Sequence, residues 1–295
     1  HDFSEVAKYA LVVPENATPF IKRLIRKGFS TKINPALKGA DPKNLKHFPH
    51  PHKIPAYQEL IQSLVDSNIL EKPTAPRSRC IINHHFTRDK SGDRPGNYIL
   101  RLVFSGTRTN RCMPKPPPHS MDGPARIAQK VVRNFWHFAA EEDLRHAYYQ
   151  IRIAPSFRRF LCIDTITHGL LQFTRAPMGM SWSSFLLFSL VYATIATLPP
   201  HIRDKILLYA DNVHVFSSTH DYCMYLLDIV RYTLQQHGWV LHTKKRRTPF
   251  SVGDILGIQF DLWRYTMQPG WKTRLAILAA IKNYRKNPTL TALQT

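Results

Sequence analysis

The chain is short of acid. It carries 20 Asp and Glu against 41 Lys and Arg, a formal net charge of +21 and a pI near 10.1. That surplus points to a polyanionic partner, either nucleic acid or an anionic membrane face. Cysteine is scarce as well: Cys80, Cys112, Cys162 and Cys223 lie far apart with no CxxC pairing. This argues against a disulfide scaffold or a ribbon-type zinc site, and it leads us to expect a reducing intracellular compartment, cytoplasm or nucleus, rather than secretion. No apolar run approaches the ~20 residues that span a bilayer. The longest, from Phe185 to Leu198, contains Ser189 and stops at Pro199-Pro200. It is expected to be a buried core helix, so nucleic acid is preferred to membrane. No charged start followed by an apolar stretch suggests a signal peptide, and because residue 1 is His rather than Met the chain is expected to be a piece of a longer protein. A GxxxxGK phosphate loop and a GxSxG elbow are both missing, which removes the commonest nucleotide-hydrolase and esterase readings. The 15 histidines follow no ligand pattern. Cys80 with His84 and His85 would supply only half of a zinc site.

What is present is a foldable chain of 295 residues with 43% hydrophobic content. Two proline-rich stretches mark joints: Phe48 to Pro55, ahead of the helically spaced Leu60, Ile61, Leu64 and Val65, and Pro114 to Pro118, read as an extended connector. Between them Cys80–Ile82 and Tyr98–Phe104 read as strands around a basic polar turn from Arg88 to Gly96. Phe135 to Leu144 is strand-like, and Ile206–Tyr209 and Val213–Phe216 form the arms of a hairpin tipped by Ala210-Asp211-Asn212. Cys223, Leu226, Leu227, Val230 and Leu234 share a helical face, with Gly238 placed as a C-terminal cap. Leu275, Leu278 and Ile281 suggest a further helix in a tail that has no acid from Leu262 onward. Strands and helices are interleaved, so the class is α/β or α+β. The first 50 residues carry no interpretable motif.

Two of the rare acids end apolar strands. If those strands are neighbours in one sheet, Asp143 and Asp211 converge, and hard, oxygen-liganded Mg2+ is the natural counter-charge between them. Two such ions activate an attacking hydroxyl and stabilise a leaving pyrophosphate, which is nucleotidyl transfer. A turn-former role for Asp211 and a helix N-cap role for Asp143 compete with this reading.

The surroundings of these acids resemble the motifs of retroelement reverse transcriptases. Asp143-Leu144-Arg145-His146-Ala147-Tyr148-Tyr149-Gln150-Ile151 looks like the first carboxylate motif, D-L-x-x-A-Y-x-Q-I. Phe173-Thr174-Arg175-Ala176-Pro177-Met178-Gly179-Met180-Ser181 resembles F-x-R-x-P-F-G-L-S, and Tyr209-Ala210-Asp211-Asn212 resembles the Y-x-D-D hairpin. Gly238 with Lys244-Lys245 is similar to the later lysine motif, and Ile255 through Asp261 to the F-L-G-x-x-x-D primer grip. Upstream, Asn68-Ile69-Leu70-Glu71 resembles the G-I-I-E segment, and Arg101 through Asn110 the fingers arginine stretch. The similarity runs over roughly 55–295 and is closest in flavour to LTR and tyrosine-recombinase retrotransposons, the VIPER type among them.

This resemblance implies an α+β right-hand polymerase with an antiparallel palm sheet backed by helices. Its parts are expected at 1–54 (N-terminal extension), 55–118 and 150–175 (fingers), 119–149 and 176–261 (palm) and 262–295 (start of thumb or connection). It implies an RNA-directed DNA polymerase that takes dNTPs, an RNA template and a DNA primer/template duplex, uses two Mg2+ with Mn2+ as substitute, and is followed by a ribonuclease H domain. Asp143, the Leu144 carbonyl and Asp211 are the implied metal ligands, with Asn212 beside them. Arg94, Arg101, Tyr148 as steric gate, Met178, Gly179 and Lys244 are the implied dNTP contacts. Tyr209, Leu256, Gly257, Lys272, Arg274 and Lys282 are the implied nucleic-acid contacts. Asn212 stands where the family has its second hairpin aspartate. An active natural variant, an engineered knock-out and a degenerate copy are all consistent with that exchange. A catalytically inactive nucleic-acid-binding protein of the same fold is therefore the alternative, and a basic ribonucleoprotein component, resting on charge alone, is a third.

Overall fold

The computed structural model describes residues 3–38, 47–90, 98–242 and 247–286. The chain forms two compact units, each stitched from three segments: 1–120, 143–199 and 230–244 make the first, and 121–142, 200–229 and 245–295 the second.

The first unit holds a five-stranded sheet in the order β1-β6-β5-β2-β3, from β1 (Leu70–Glu71), β2 (Ile82–Asp89), β3 (Leu100–Ser105), β5 (Cys162–Thr165) and β6 (Gly169–Phe173). β2 and β5 are parallel and the other neighbours antiparallel. The two-residue pleat decides what β3 shows: Leu100, Leu102 and Phe104 point into the core, and Arg101 points outward. β2 extends through Arg88 and Asp89, which the sequence assigns to the turn. Around the sheet lie α1 (Ser4–Lys8), α2 (Pro19–Lys27), α3 (Ile54–Asp66), α4 (Thr107–Cys112), α6 (Pro155–Arg158) and α7 (Ser183–Ile195). α2 begins as its sequence dictates, with Thr18 accepting from the Ile21 N–H at 3.4 Å and Pro19 in the first turn. α3 buries Tyr57, Leu60, Ile61 and Leu64 along one stripe. α7, apolar nearly all round, is the expected core helix.

The second unit carries the sheet β7-β8-β4-β9, from β4 (Phe138–Asp143), β7 (Ile206–Tyr209), β8 (Asn212–Ser217) and β9 (Arg247–Phe250). The pairs β7–β8 and β4–β9 are antiparallel. An antiparallel meander follows, formed by β10 (Val252–Ile255), β11 (Ile258–Asp261) and β12 (Thr266–Pro269). Its core unites α5 (Pro124–Asn134), through Ile127 and Val131, with Trp136, Ala139, Leu207, Phe216, Ile255, Phe260 and Leu262. Trp136 stacks on Phe216 at 5.3 Å. The free edge of β7 is closed by Asp122, whose N–H donates to the Leu208 carbonyl and whose carboxylate accepts the Leu208 N–H, both at 3.0 Å. α8 (Pro200–Arg203) precedes β7, α9 (His220–Gln236) runs from the second unit into a segment of the first, and α10 (Trp271–Lys286) closes the described chain. The α10 helix expected from Leu275, Leu278 and Ile281 is present, but all three side chains are exposed.

Among the described residues no helix is long and apolar enough to cross a membrane, and the four cysteines are free and buried.

Candidate active site

Asp143 is the last residue of β4 and belongs by its contacts to the first unit, where it is 7% exposed. The chain beyond it is anchored to residues 240–242. The Asp143 carbonyl accepts from the His242 N–H at 2.8 Å, and the Arg145 N–H donates to the Val240 carbonyl at 2.9 Å. These bonds flank the Leu144–Leu241 bridge, so Leu144's own carbonyl takes no part in it. Gln150 completes the clamp: its amide donates to the carbonyls of Arg145 (2.8 Å) and Val240 (2.9 Å) and accepts the Val240 N–H (2.9 Å). The turn contains His146 at φ 48°. The N-terminal segment, silent as sequence, packs here. Phe3 lies 4.5 Å from His146 and 5.8 Å from Tyr149, and Glu5 pairs with Arg145.

Tyr148 is half-buried on the short 3-10 turn Ala147–Gln150. Burial pushes the phenol of its neighbour Tyr149 up to about 12, partly offset by the charge of the Arg101 guanidinium. Met178 is 40% exposed. Gly179 is fixed by close approach: its φ is 105°, and a Cβ there would lie 2.0 Å from the Phe104 carbonyl oxygen. Asn110 holds the same loop from both sides, donating to the Gly179 carbonyl at 3.0 Å and accepting the Ser181 N–H at 2.8 Å. Asn110 is a positioning residue that the motif reading did not assign. The sequence marks Asn110 only as the last letter of the fingers stretch, and its task is visible only in these contacts.

In the second unit the β7–β8 hairpin has the expected shape. Tyr209 pairs with Asn212, leaving Ala210 and Asp211 as a two-residue turn. Ala210 sits at φ 52°, a conformation that costs a residue with a Cβ. Asp211 and Asn212 are half-buried and Tyr209 is exposed. Leu256 and Gly257 form the tight turn between β10 and β11 with φ 53° and 78°. Gly270 donates to the Gly257 carbonyl at 2.9 Å. Lys272 lies over the Trp271 ring at 5.7 Å, and Arg274 donates to Gln259 at 3.1 Å. Arg94, Lys244 and the Lys282 side chain lie outside the described residues.

Among the described residues no three His, Cys, Asp or Glu side chains gather as a metal site, so the half-site at Cys80, His84 and His85 finds no further ligand there.

The family model described as "Reverse transcriptase (RNA-dependent DNA polymerase)" matches residues 97–260, more than half of the chain. None of the curated proteins matches. Among solved structures, the foamy viral protease-reverse transcriptase in complex with double-stranded DNA is similar at TM-score 0.64 and 17% identity, over 84% of this chain and 41% of that one. The same enzyme with an RNA/DNA hybrid aligns at TM-score 0.64 and 14% identity, over 90% and 36%. Its native prototype foamy virus form aligns at 0.58 and 18%, over 96% and 39%. At these identities the likeness shows the α+β polymerase fold, and the chain spans well under half the length of the chains it matches.

Proposed function

Because the chain belongs to the reverse transcriptase (RNA-dependent DNA polymerase) family, we propose that it is the polymerase portion of a retrotransposon enzyme, extending a primer 3′-hydroxyl with dNTPs on RNA and DNA templates. The observation that carries this is the Tyr209–Asn212 hairpin, held by β7 and β8 in the sheet that also contains β4, the strand ending on Asp143.

In this reading Asp143, Asp211 and the Leu144 carbonyl are an all-oxygen donor set of the kind that suits Mg2+, with Mn2+ as substitute. The fit rests on the bridge geometry that leaves the Leu144 carbonyl unused by Leu241. When bound, the ions supply charge neutralisation and nucleophile activation for in-line displacement. Arg101, on the outward face of β3, would meet the triphosphate, and Arg94 and Lys244 would add charge. The Tyr148 ring excludes a ribose 2′-hydroxyl, and Met178 and Gly179 floor the new base pair. Tyr209, Leu256 and Gly257 hold the primer end, and Lys272, Arg274 and Lys282 meet backbone phosphates. Residues 55–118 and 150–175 serve as fingers, 119–149 and 176–261 as palm, and the remainder as the start of a thumb, with a ribonuclease H domain in the whole protein.

One residue favours the second reading, a catalytically inactive nucleic-acid binder. Asn212 lacks the charge of the family's aspartate, and Mg2+ affinity follows ligand charge. Primer extension on an RNA template, with Mg2+ or Mn2+, compares the chain with Asn212→Asp and Asp143→Asn. Extension by the chain, abolished by Asp143→Asn, supports the enzyme. Extension only after Asn212→Asp identifies an inactivated polymerase, and extension that survives Asp143→Asn overturns the metal assignment. Tyr148→Val should additionally let ribonucleotides in.

A further inference from the structure

Within the first unit an open pocket of about 240 Å3 is lined by Lys8, Tyr9, Glu71, Arg152, Arg158 and Arg175, among others. None of these has a part in the chemistry assigned above. The chain places two of the cations face to face: Arg152 and Arg175 form an antiparallel bridge beside the bond from the Ile153 N–H to the Thr174 carbonyl at 2.8 Å. Like charges directly opposite on adjacent strands destabilise the pairing.

The single acid does not neutralise them. Glu71 is taken by Arg158, at 2.9 and 3.1 Å, and by the Gln172 amide at 2.7 Å. Among the described residues neither Arg152 nor Arg175 has a side-chain hydrogen bond or ion pair. The half-buried Arg175 is held below the usual range for its type by burial and then by the charges of Arg152 and Arg158. Four cations therefore face one committed carboxylate, a balance that asks for an anion with several acceptor oxygens. At the rim Tyr9 leaves 58% of its surface exposed, a face on which a base or sugar would stack.

We propose that this pocket binds the phosphate group of a nucleotide unit, with Arg152 and Arg175 as its principal ligands. The same chemistry is offered by a phosphodiester of a single strand and by free phosphate, and the test separates them. Because binding is measured without dNTPs or divalent ions, its outcome is independent of whether the chain polymerises.

The full chain and its Arg152→Ala and Arg175→Gln variants are compared with Arg26→Ala, an exposed cation of α2 outside the pocket. The first probe is inorganic phosphate, read as a melting-temperature shift against chloride at equal ionic strength. The second is a fluorescent single-stranded DNA ten-mer, read as anisotropy across a salt series. We expect phosphate to raise the melting temperature of the chain and of Arg26→Ala, and to lose that effect in both pocket variants. For a strand-borne ligand, Arg152→Ala weakens the ten-mer about tenfold and lowers its salt slope by about one. Loss of the phosphate effect with unchanged ten-mer binding assigns the site to free phosphate. Phosphate and ten-mer binding that are both unchanged in Arg152→Ala overturn the proposal. Arg152 is exposed, so this variant decides the matter even if Arg175→Gln fails to fold.

Discussion

Replacing Gln150 by Met keeps the length and volume of the side chain and removes only its amide. Gln150 is 4% exposed and makes three hydrogen bonds of 2.8–2.9 Å. Two join it to the N–H and C=O of Val240 in a buried setting, and the third, to the Arg145 carbonyl, is only part-buried, so water can replace it. A buried polar group left without a partner costs about 1–3 kcal/mol. Two such groups give a loss of roughly 2–6 kcal/mol, a large share of the ~5–15 kcal/mol that holds a domain together. Urea unfolding followed by circular dichroism measures it directly, as a lower midpoint at unchanged m-value. Primer extension should fall further than the unfolded fraction explains, because the same bonds fix the turn behind Asp143 against residues 240–242. A loss below about 1 kcal/mol at constant slope would refute the claim that Gln150 clamps these segments.

Gly179→Ala should cost at least ~3 kcal/mol or yield insoluble protein, since the new methyl would sit 2.0 Å from the Phe104 carbonyl oxygen; a soluble variant with an unchanged melt contradicts the packing. Ala210→Gly relieves the positive φ of 52° in the hairpin turn and should raise stability by up to ~1 kcal/mol in thermal melts; a decrease shows the turn has another geometry. His85, bonded to the Tyr57 hydroxyl at 3.0 Å, is lowered to about 3 by burial and then by His47 and His84. The unfolded chain therefore takes up this proton first, so stability is full above pH ~6.5 and declines as pH falls toward 3. Urea midpoints at pH 7 and 5 should differ less in His85→Gln than in the parent chain; equal differences would remove His85 as the source.

Local patterns were readable wherever one element carries them. The stripe of α3, the arms of β7 and β8, the turn at Asp211 and the end of β4 all follow from spacing within a dozen residues. What could not be read depends on distant partners. Gln150 is recognisable as a motif letter, yet its work is done on Val240, 90 positions away. Asn110 matters because the loop at Gly179 folds back to it. The N-terminal segment had no pattern because its anchors, Phe3 and Glu5, are single residues that meet the turn after Asp143. Leu275, Leu278 and Ile281 have helical spacing, but spacing does not say what an apolar face will meet, and here it meets solvent.

The interleaving of the two units constrains how this chain can be born and cut. Segments of the first run to Lys244 and alternate with those of the second. A ribosome must therefore release most of the polypeptide before either unit has all its parts, and early intermediates expose unpaired strand edges meanwhile. For the same reason no single scission frees an intact half: the first unit needs residues up to 244 and the second begins at 121, so every cut leaves at least one of them incomplete, and dissecting the protein by truncation should return aggregates rather than separable modules.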